Sequence, residues 1–496
     1  MARFRAARAS LLFGLLLASV CRAELRFSVS YSSEQFVGPF TGKVVVYLSK
    51  RSNSPKNGPN WFQPEPMYAA EFKNSPAGAP MLVSDANAVG FPGKIADLPA
   101  GEYTVQAVID RNLGGRAIGS SPGNLYSTSK RATLDPKSDQ TISLACDEVV
   151  LERPFRETRT VKEAKVRSEL LSVFYKRDTY LRAAVSLPQA YFDEPNRRFP
   201  AIYEIPGFGG NHRMMSGREA RGTMRDGVPF LHVTLDPDCP TGHSVFADSA
   251  NNGPWGKALT TELIPHIEST FRGIGKPGAR FVTGHSSGGW SSLWLQVAYP
   301  DFFGGVWSTA PDPVDFRDFQ RIDLYKPGVN MFTDENGEPR PIARFGERPA
   351  LFYRQFSDME RPIRGEQLGS FEAVFSPMGP DGQPMRLWDR DTGAVDPKVA
   401  EAWKKYDIGL ILRMRWPELG PKLKGKLHVY MGDSDTFYLE GAVKLLQRDL
   451  KALGSDAAVE IVPGDHGSMM TRELRERIDR EMAARFRSER PTANSR

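Results

Sequence analysis

Residues 280–297 read RFVTGHSSGGWSSLWLQV, and this stretch predicts a strand, a tight turn and a helix in succession. The turn, residues 284–288, has the pattern G-x-S-x-G. A strand that enters such a turn and a helix that leaves it present the central serine beside a helix N-terminus, which stabilises developing negative charge. The sequence therefore predicts Ser286 as a nucleophile on a strand–turn–helix elbow.

The pattern alone is weak evidence, because it occurs a second time at residues 119–123 (GSSPG). This second match lies among Gly, Ser and Pro, and Pro122 follows its central Ser121. No strand and helix flank it, so we interpret it as a loop.

Outward from the elbow, strand patterns alternate with helical spacing, which is typical of a mainly parallel α/β sheet. An opening hairpin is predicted from residues 173–175 and 181–187 around a polar turn. The other predicted elements are strands at 199–205, 230–235, 306–309, 427–431 and 459–462, and helices at 259–271 and 470–486.

Before this α/β region, strand alternation and turns predict a small all-β sandwich. The predicted division is a signal peptide at 1–23, the sandwich at 24–152, the α/β domain at 153–488 and a disordered tail at 489–496. The sandwich is interpreted as a structural or carbohydrate-contacting appendage. A long insertion is predicted at 311–416. It either forms a small core of its own or covers the site as a lid, and we predict the lid.

A serine hydroxyl needs a base to remove its proton, and His466 is the predicted base among seven histidines. It follows a strand and the turn Pro463-Gly464-Asp465 near the end of the chain, as the order serine, acid, histidine requires. His285 lies inside the elbow and is expected to point away from the serine hydroxyl.

The acid that orients this histidine is expected in a loop after a strand between Ser286 and His466. The loop Gly432-Asp433-Ser434-Asp435 offers two carboxylates, of which Asp435 is preferred and Asp433 is the alternative. Asp312 and Asp315 are outside candidates, and a solvated acidic turn is the structural alternative.

The oxyanion hole needs two backbone N–H groups, of which Ser287 supplies one. The Gly-rich loop 206–210 (PGFGG) is expected to supply the other, from Phe208 or else Gly209. This loop lacks the spacing of a phosphate-binding motif, and no zinc motif is present, so no metal or organic cofactor is expected.

At this point the chain resembles the putative-esterase family, which includes esterase D, feruloyl esterases, enterochelin esterases and mycolyltransferases. The matching segments are 185–191 (VSLPQAY), 198–203 (RFPAIY), 207–210 (GFGG), 284–289 (GHSSGG) and 299–303 (YPDFF). Asp435 and the turn 464–466 are similar in order and spacing to the family's acid and base. The resemblance implies a three-layer α/β-hydrolase fold and esterase activity.

These observations predict an exported serine esterase that acts on small-molecule or glycan esters, of carbohydrate or aryl type. Acyl transfer to a sugar or alcohol is the catalytic alternative, and a non-catalytic secreted binding protein is the alternative from another class. A prolyl-oligopeptidase-like peptidase is disfavoured because the N-terminal region is too short for a propeller.

Charge and cysteine content limit the possible partners and the cellular compartment of the protein. The chain has 65 basic and 59 acidic residues, but four arginines lie in the first 23 residues, and without them the charge is close to balanced. A nucleic-acid partner is therefore not expected. No stretch after the first 23 residues has the roughly 18 apolar residues that a membrane helix needs, so a membrane-spanning segment is not expected either. The first 23 residues resemble an export signal cleaved after about Ala23, with Cys21 lipidation as an alternative.

After removal of this segment two cysteines remain, and Cys146 and Cys239 either form a disulfide or remain buried thiols.

Overall fold

The computed structural model describes residues 24–489, and the first part of this range forms two β-sheets around one buried core. The predicted signal segment, 1–23, and residues 490–496 of the predicted tail lie outside the described residues. One sheet has the strand order Met81–Val83, Leu25–Ser30, Gln140–Ala145. The other has the order Glu148–Val149, Leu125–Tyr126, Gly101–Asp110, Phe40–Ser49, Met67–Ser75, Val89–Phe91, with Lys130–Leu134 also paired to Gly101–Asp110.

The alternation of buried and partly exposed residues along the first strand explains how the two sheets pack. Leu25, Phe27 and Val29 are buried and the residues between them are partly exposed, which is the period-two pattern of a half-buried strand. Their side chains share a core with Val44 and Val46 of the second sheet. Burial of these apolar side chains holds the two sheets together.

An eight-stranded, mainly parallel sheet follows, as predicted. Its strand order is Val161–Arg167, Tyr180–Ser186, Leu231–Leu235, Ala201–Ile205, Arg280–His285, Gly305–Thr309, Leu427–Gly432, Ala458–Val462. The last six strands in this order are parallel to one another, and Tyr180–Ser186 is antiparallel to both of its neighbours. Because the carboxyl ends of parallel strands lie at one edge, the loops after residues 205, 285, 309 and 432 are brought together.

Helices connect these strands and pack on the sheet. They are Glu169–Tyr175, Ala190–Asp193, Trp255–Ala258, Ile264–Thr270, Ser287–Ala298, Glu440–Ala452 and Arg472–Ser488, and a π-helical turn, Leu259–Leu263, joins the third to the fourth. Single 3₁₀ turns occur at Pro55–Asn57, Ile95–Asp97, Ile118–Ser120, His212–Met215, Pro277–Ala279, Phe316–Asp318 and Lys404–Tyr406. Short two-stranded pairs are Met224–Arg225 with Val228–Pro229, Asp238–Cys239 with Gly242–His243, and Asp248–Ser249 with Gly253–Pro254.

The predicted opening hairpin is wrong in its first strand. Residues 173–175 belong to the helix Glu169–Tyr175, and Val161–Arg167 is the strand that pairs with Tyr180–Ser186. The Ser168 side chain accepts a hydrogen bond from the Leu171 N–H and so caps the helix, and Lys176 ends it in the left-handed conformation. The β propensity of Val173, Phe174 and Tyr175 is overridden by these caps.

The segment predicted as an insertion, 311–416, contains regular structure of its own. It holds the paired strands Pro341–Phe345 and Arg348–Phe352 and the helices Tyr353–Glu360, Gln367–Phe375, Pro397–Trp403 and Ile408–Leu423, the last of which continues past residue 416. Its buried aromatic residues, such as Phe316 and Trp403, belong to the same apolar cluster as the strands of the central sheet. The segment is therefore continuous with the main core.

The two cysteines of the described chain do not form a disulfide. Cys146 and Cys239 are both free and buried, and they lie in different hydrophobic clusters. Burial raises the pKa of the Cys239 thiol to about 11, so it is protonated at neutral pH.

Candidate active site

Ser286 lies on the predicted elbow between the strand Arg280–His285 and the helix Ser287–Ala298. Its backbone has φ +61° and ψ −126°, a conformation that costs a non-glycine residue about 1–3 kcal/mol. The neighbouring glycines make this turn possible. A Cβ on Gly288 would lie 1.8 Å from the Ile205 carbonyl oxygen, and one on Gly284 would lie 2.2 Å from the Gly288 oxygen. The G-x-S-x-G pattern is thus explained by close backbone contact.

His466 and Asp435 form a hydrogen-bonded pair near Ser286. The Nδ1 atom of His466 lies 2.7 Å from Oδ2 of Asp435, whose side chain is fully buried. The other carboxylate oxygen of Asp435 accepts a hydrogen bond of 2.8 Å from the Phe437 N–H. Both oxygens are therefore fixed, and the ring of His466 is held in one orientation.

The other candidate acids have different partners. Asp433 accepts a hydrogen bond of 3.1 Å from the Gly464 N–H and supports the turn that carries His466. Asp315 binds Arg317 and Arg413, at 2.6 and 2.7 Å. The structure thus places Asp435, and not Asp433 or Asp315, against the His466 ring.

The pKa of His466 is raised above its ordinary value of 6.5. Burial alone would lower it, but the hydrogen bond and the negative charge of Asp435, together with the charge of Asp312, outweigh that effect. The pair therefore favours the charged imidazolium, which is the form that His466 acquires when it accepts a proton.

The predicted oxyanion loop, residues 206–210, lies directly against the elbow. A Cβ on Gly207 would lie 3.3 Å from the Cβ of Ser286. Within residues 24–489, the N–H groups of Phe208, Gly209 and Ser287 donate no hydrogen bond to another protein group. These N–H groups therefore remain available to a ligand beside Ser286.

His243 anchors this loop, and sequence reasoning missed that role. Its Nδ1 accepts a hydrogen bond of 3.0 Å from the Val245 N–H, which leaves the proton on Nε2 to be donated to the Pro206 oxygen, also at 3.0 Å. Burial lowers the pKa of His243 to about 4, so the ring is neutral and keeps this tautomer. A histidine in a two-residue strand shows no local pattern that would have predicted the contact.

A cavity of about 310 Å³ opens at Ser286 and His466. Most of its wall is apolar or aromatic, and six of the lining residues are Trp61, Phe208, Ile342, Leu351, Phe356 and Phe437. Several of these belong to the segment 311–416, which was predicted to cover Ser286. Trp61 comes from a loop of the N-terminal region that showed no catalytic pattern. A cavity of this size and lining suits a small molecule with an apolar part.

One end of the cavity is polar. The buried Asp312 accepts hydrogen bonds from the Ser287 hydroxyl at 2.6 Å and from the Gln367 side-chain amide at 3.1 Å. Burial raises the pKa of Asp312 to about 6. Asp312, an outside candidate for the acid in the sequence, is instead hydrogen-bonded to Ser287, the residue after the predicted nucleophile.

His285 is predicted to point away from the Ser286 hydroxyl, and in the structure its ring lies beside the predicted base. The ring centroids of His285 and His466 are 4.7 Å apart, and Nδ1 of His285 lies 3.0 Å from the Thr309 hydroxyl oxygen. Burial, together with the nearby His466, lowers the pKa of His285 to about 4. A neutral ring therefore covers one side of His466.

The second G-x-S-x-G match has none of this surrounding structure. Ser121 follows the 3₁₀ turn Ile118–Ser120, and its buried hydroxyl donates to the Ala117 carbonyl at 2.7 Å. This geometry agrees with its interpretation as a loop.

Two features are absent from the described residues, 24–489. In this part of the chain, no group of three or more His, Cys, Asp or Glu side chains is arranged to hold a metal ion. None of its helices has the length and apolar character that crossing a bilayer requires.

Comparison with known proteins identifies related sequences and structures. The family model described as "Putative esterase" matches residues 177–449. An S-formylglutathione hydrolase from Agrobacterium tumefaciens is 14% identical, with 66% of this chain and 95% of that chain covered and a TM-score of 0.40. A CE1 ferulic acid esterase from Anaeromyces mucronatus, in complex with ferulic acid, is 15% identical over 63% and 88%, with a TM-score of 0.31. No curated protein shows a significant match.

The family match covers more than half of the chain and includes the elbow, the loop 206–210 and the acidic loop 432–435. Together with the mainly parallel eight-stranded sheet, it assigns the α/β-hydrolase fold.

Proposed function

The chain belongs to the putative-esterase family of carboxylic ester hydrolases, and from this premise we propose that it cleaves esters through an acyl-enzyme on Ser286. The observation that carries the proposal is that Ser286 and His466 line one cavity while Asp435 holds His466 at 2.7 Å. A serine, a histidine and a buried carboxylate in this relationship are the parts that nucleophilic acyl transfer requires.

In the proposed reaction, the Ser286 oxygen attacks the ester carbonyl carbon while His466 accepts the hydroxyl proton. Asp435 binds Nδ1 of His466 and stabilises the imidazolium that forms. The carbonyl oxygen becomes an oxyanion that accepts hydrogen bonds from the N–H groups of Phe208 and Ser287, with Gly209 as the alternative donor. The tetrahedral intermediate collapses, the alcohol leaves with the proton from His466, and the acyl group remains on Ser286.

The second half of the reaction uses the same groups. His466 removes a proton from water, the resulting hydroxide attacks the acyl carbon, and the second tetrahedral intermediate releases the carboxylic acid. The Ser286 oxygen recovers its proton from His466. Apart from the ester and water, the proposed steps involve only these side chains and backbone amides.

We propose that the preferred substrates are small esters with an aryl or other apolar group. The cavity wall is mostly aromatic, with Phe356, Phe371 and Phe437 near the site. Its polar end, at Asp312 and Gln367, suits a hydroxyl or amide on the same substrate. Simple acetates are expected to react but to gain less binding energy.

A fluorophosphonate probe and a panel of p-nitrophenyl esters test the proposal together. We expect the probe to label Ser286, and Ser286→Ala to lower turnover by about a million-fold. Ser121→Ala is the matched control, because that serine is in the same sequence pattern but buried away from the cavity. Labelling of Ser121, or no labelling and no ester cleavage by the wild-type protein, would refute the proposal.

We also propose that the protein is exported and that residues 1–23 are removed. The support is the arginine-bearing start and the apolar run within residues 11–20. Expression of the full chain, fractionation of the cells and N-terminal sequencing test this. We expect an exported protein that begins at Glu24, whereas a lipidated N-terminus at Cys21 would favour the lipoprotein alternative and retention in the cytosol would contradict export.

A further inference from the structure

Trp61 belongs to the N-terminal region, yet its side chain lines the cavity that contains Ser286. It lies on the loop between the strands Phe40–Ser49 and Met67–Ser75. The sequence alone predicts this whole region to be a structural or carbohydrate-contacting appendage. A residue of the N-terminal region thus forms part of the wall of the cavity at Ser286.

Trp61 is held in the cavity by aromatic contacts on several elements. Its ring centroid lies 4.9 Å from that of Phe356, 5.5 Å from that of Phe208 and 6.5 Å from that of Phe437. Phe356 belongs to the segment 311–416, and Phe208 belongs to the oxyanion loop. The indole thus joins the cavity wall to the loop that carries a proposed oxyanion donor.

A hydrogen bond fixes the orientation of the indole. Its Nε1–H donates to the carboxylate of Glu366 at 2.8 Å, and Glu366 is buried. Arg116, also from the N-terminal region, lies 3.6 Å from the same carboxylate and 4.8 Å from the centre of the Phe208 ring. A charge-assisted hydrogen bond of this kind holds an aromatic side chain in one position.

The loop that carries Trp61 is itself braced. The Asn60 side chain accepts hydrogen bonds from the N–H groups of Phe62 and Gln63, at 3.1 and 3.2 Å. Arg51 donates to the side chain and to the backbone oxygen of Gln63, both at 2.8 Å. Trp61 is therefore presented by a turn that is ordered before a substrate binds, which lowers the entropic cost of binding.

We infer that Trp61 is a specificity-determining residue, which forms the wall against which the apolar part of the ester lies. The inference rests on the proposed function, and it extends the substrate site to the N-terminal sheets. Trp61 does not contact the reacting atoms, so its contribution is to substrate binding and to the choice among esters, not to the chemical step.

The test compares Trp61→Ala, Trp61→Phe and the control Phe62→Ala on two substrates. Phe62 is the next residue of the same loop, but it is 37% exposed and packs on Phe345 outside the cavity. The substrates are p-nitrophenyl acetate and p-nitrophenyl 3-phenylpropanoate. Thermal unfolding of each variant shows that it is folded.

For Trp61→Ala we expect kcat/KM for the phenylpropanoate to fall by about tenfold or more, mainly through KM. The value for the acetate should change by less than about threefold, because Arg116 still contacts Phe208. Trp61→Phe should retain most of the selectivity, and Phe62→Ala should match the wild type. Equal losses on both esters, or an unchanged ratio, would overturn the inference.

A binding measurement separates this inference from the proposed function. In a Ser286→Ala background, equilibrium dialysis of intact p-nitrophenyl 3-phenylpropanoate should show weaker binding when Trp61→Ala is added. This result does not depend on turnover. If the wild-type protein cleaved neither ester but this difference in binding remained, the proposed chemistry would fail and the role of Trp61 would stand. If the dissociation constant were unchanged, the role of Trp61 would fail.

Discussion

Arg364 of the segment 311–416 donates two hydrogen bonds, at 2.6 and 2.8 Å, to the two carboxylate oxygens of Asp110 at the end of an N-terminal strand. Asp110 is only 4% exposed, and Arg364 also donates to the carbonyl oxygens of Gly115 and Pro240. Burial alone would raise the pKa of Asp110, but the guanidinium of Arg364 reverses that effect and holds the pKa below its ordinary value. This ion pair joins the N-terminal sheets to the hydrolase region.

Removal of one partner should therefore destabilise the protein. We expect Arg364→Met to lower the free energy of unfolding in urea by about 3–5 kcal/mol, because it leaves a buried carboxylate without its cation. Arg361→Met is the control, since its pairs with Asp358 and Asp391 lie at the surface and contribute about 0–1 kcal/mol. Equal effects of the two substitutions would show that the buried pair has no special role.

The same pair predicts a direction for acid unfolding. A carboxyl whose pKa is lower in the folded state than in the unfolded state stabilises the protein above its unfolded pKa, and this contribution is lost as the pH falls through the folded value. Asp110→Asn should therefore flatten the dependence of stability on pH in the acid range, measured by urea unfolding at several pH values. A dependence as steep as that of the wild type would contradict this assignment.

The two carboxylates of the loop 432–435 should differ in their effect on catalysis. Asp435→Asn is expected to lower kcat by about ten-thousand-fold, because the amide no longer selects the productive tautomer of His466. Asp433→Asn should be far milder, since Asp433 binds the Gly464 backbone and not the ring. Steady-state rates with p-nitrophenyl acetate measure both, and the reverse ranking would assign the acid to Asp433.

The raised pKa of His466 predicts the acid limb of the pH profile. His466 must be neutral to accept a proton, so kcat/KM should fall as the pH drops through a value above 6.5. The charge of Asp312 contributes to this shift, so Asp312→Asn should move the limb to lower pH. Asp358→Asn, whose carboxylate pairs with Arg354 and Arg361 and does not line the cavity, should leave it in place. A limb that did not move in Asp312→Asn would show that Asp312 has no electrostatic effect on the base.

The segment 311–416 is better tested by point substitutions than by deletion, because its aromatic residues are part of the main core. Leu351→Ala removes part of the cavity wall and so enlarges the cavity. We expect it to change the ranking of bulky and small p-nitrophenyl esters by kcat/KM. Phe345→Ala is the control, because Phe345 is on the same hairpin but 62% exposed. An unchanged ranking in Leu351→Ala would make this part of the segment a structural appendage rather than a lid over Ser286.

The parts of the site that the sequence predicted are those set by local geometry or by chain order. Ser286 follows from glycine spacing, since Gly284 and Gly288 touch backbone atoms and leave no room for a side chain. Asp435 and His466 could be predicted because each lies in a loop shortly after one of two consecutive strands. The structure adds contacts between distant positions, such as His243 with Pro206 and Gln367 with Ser287, 37 and 80 residues apart. Such contacts depend on tertiary packing and have no periodic signature.

The hydrogen bond from Trp61 to Glu366 joins residues 305 positions apart, so it bears on the order in which the molecule becomes functional during folding. Closing a loop of this length has an entropic cost, so we expect this contact to form late. Ser286, Asp435 and His466, by contrast, follow strands of a single sheet. During refolding, cleavage of a small ester should return first, and discrimination between esters should follow only when the N-terminal loop has docked.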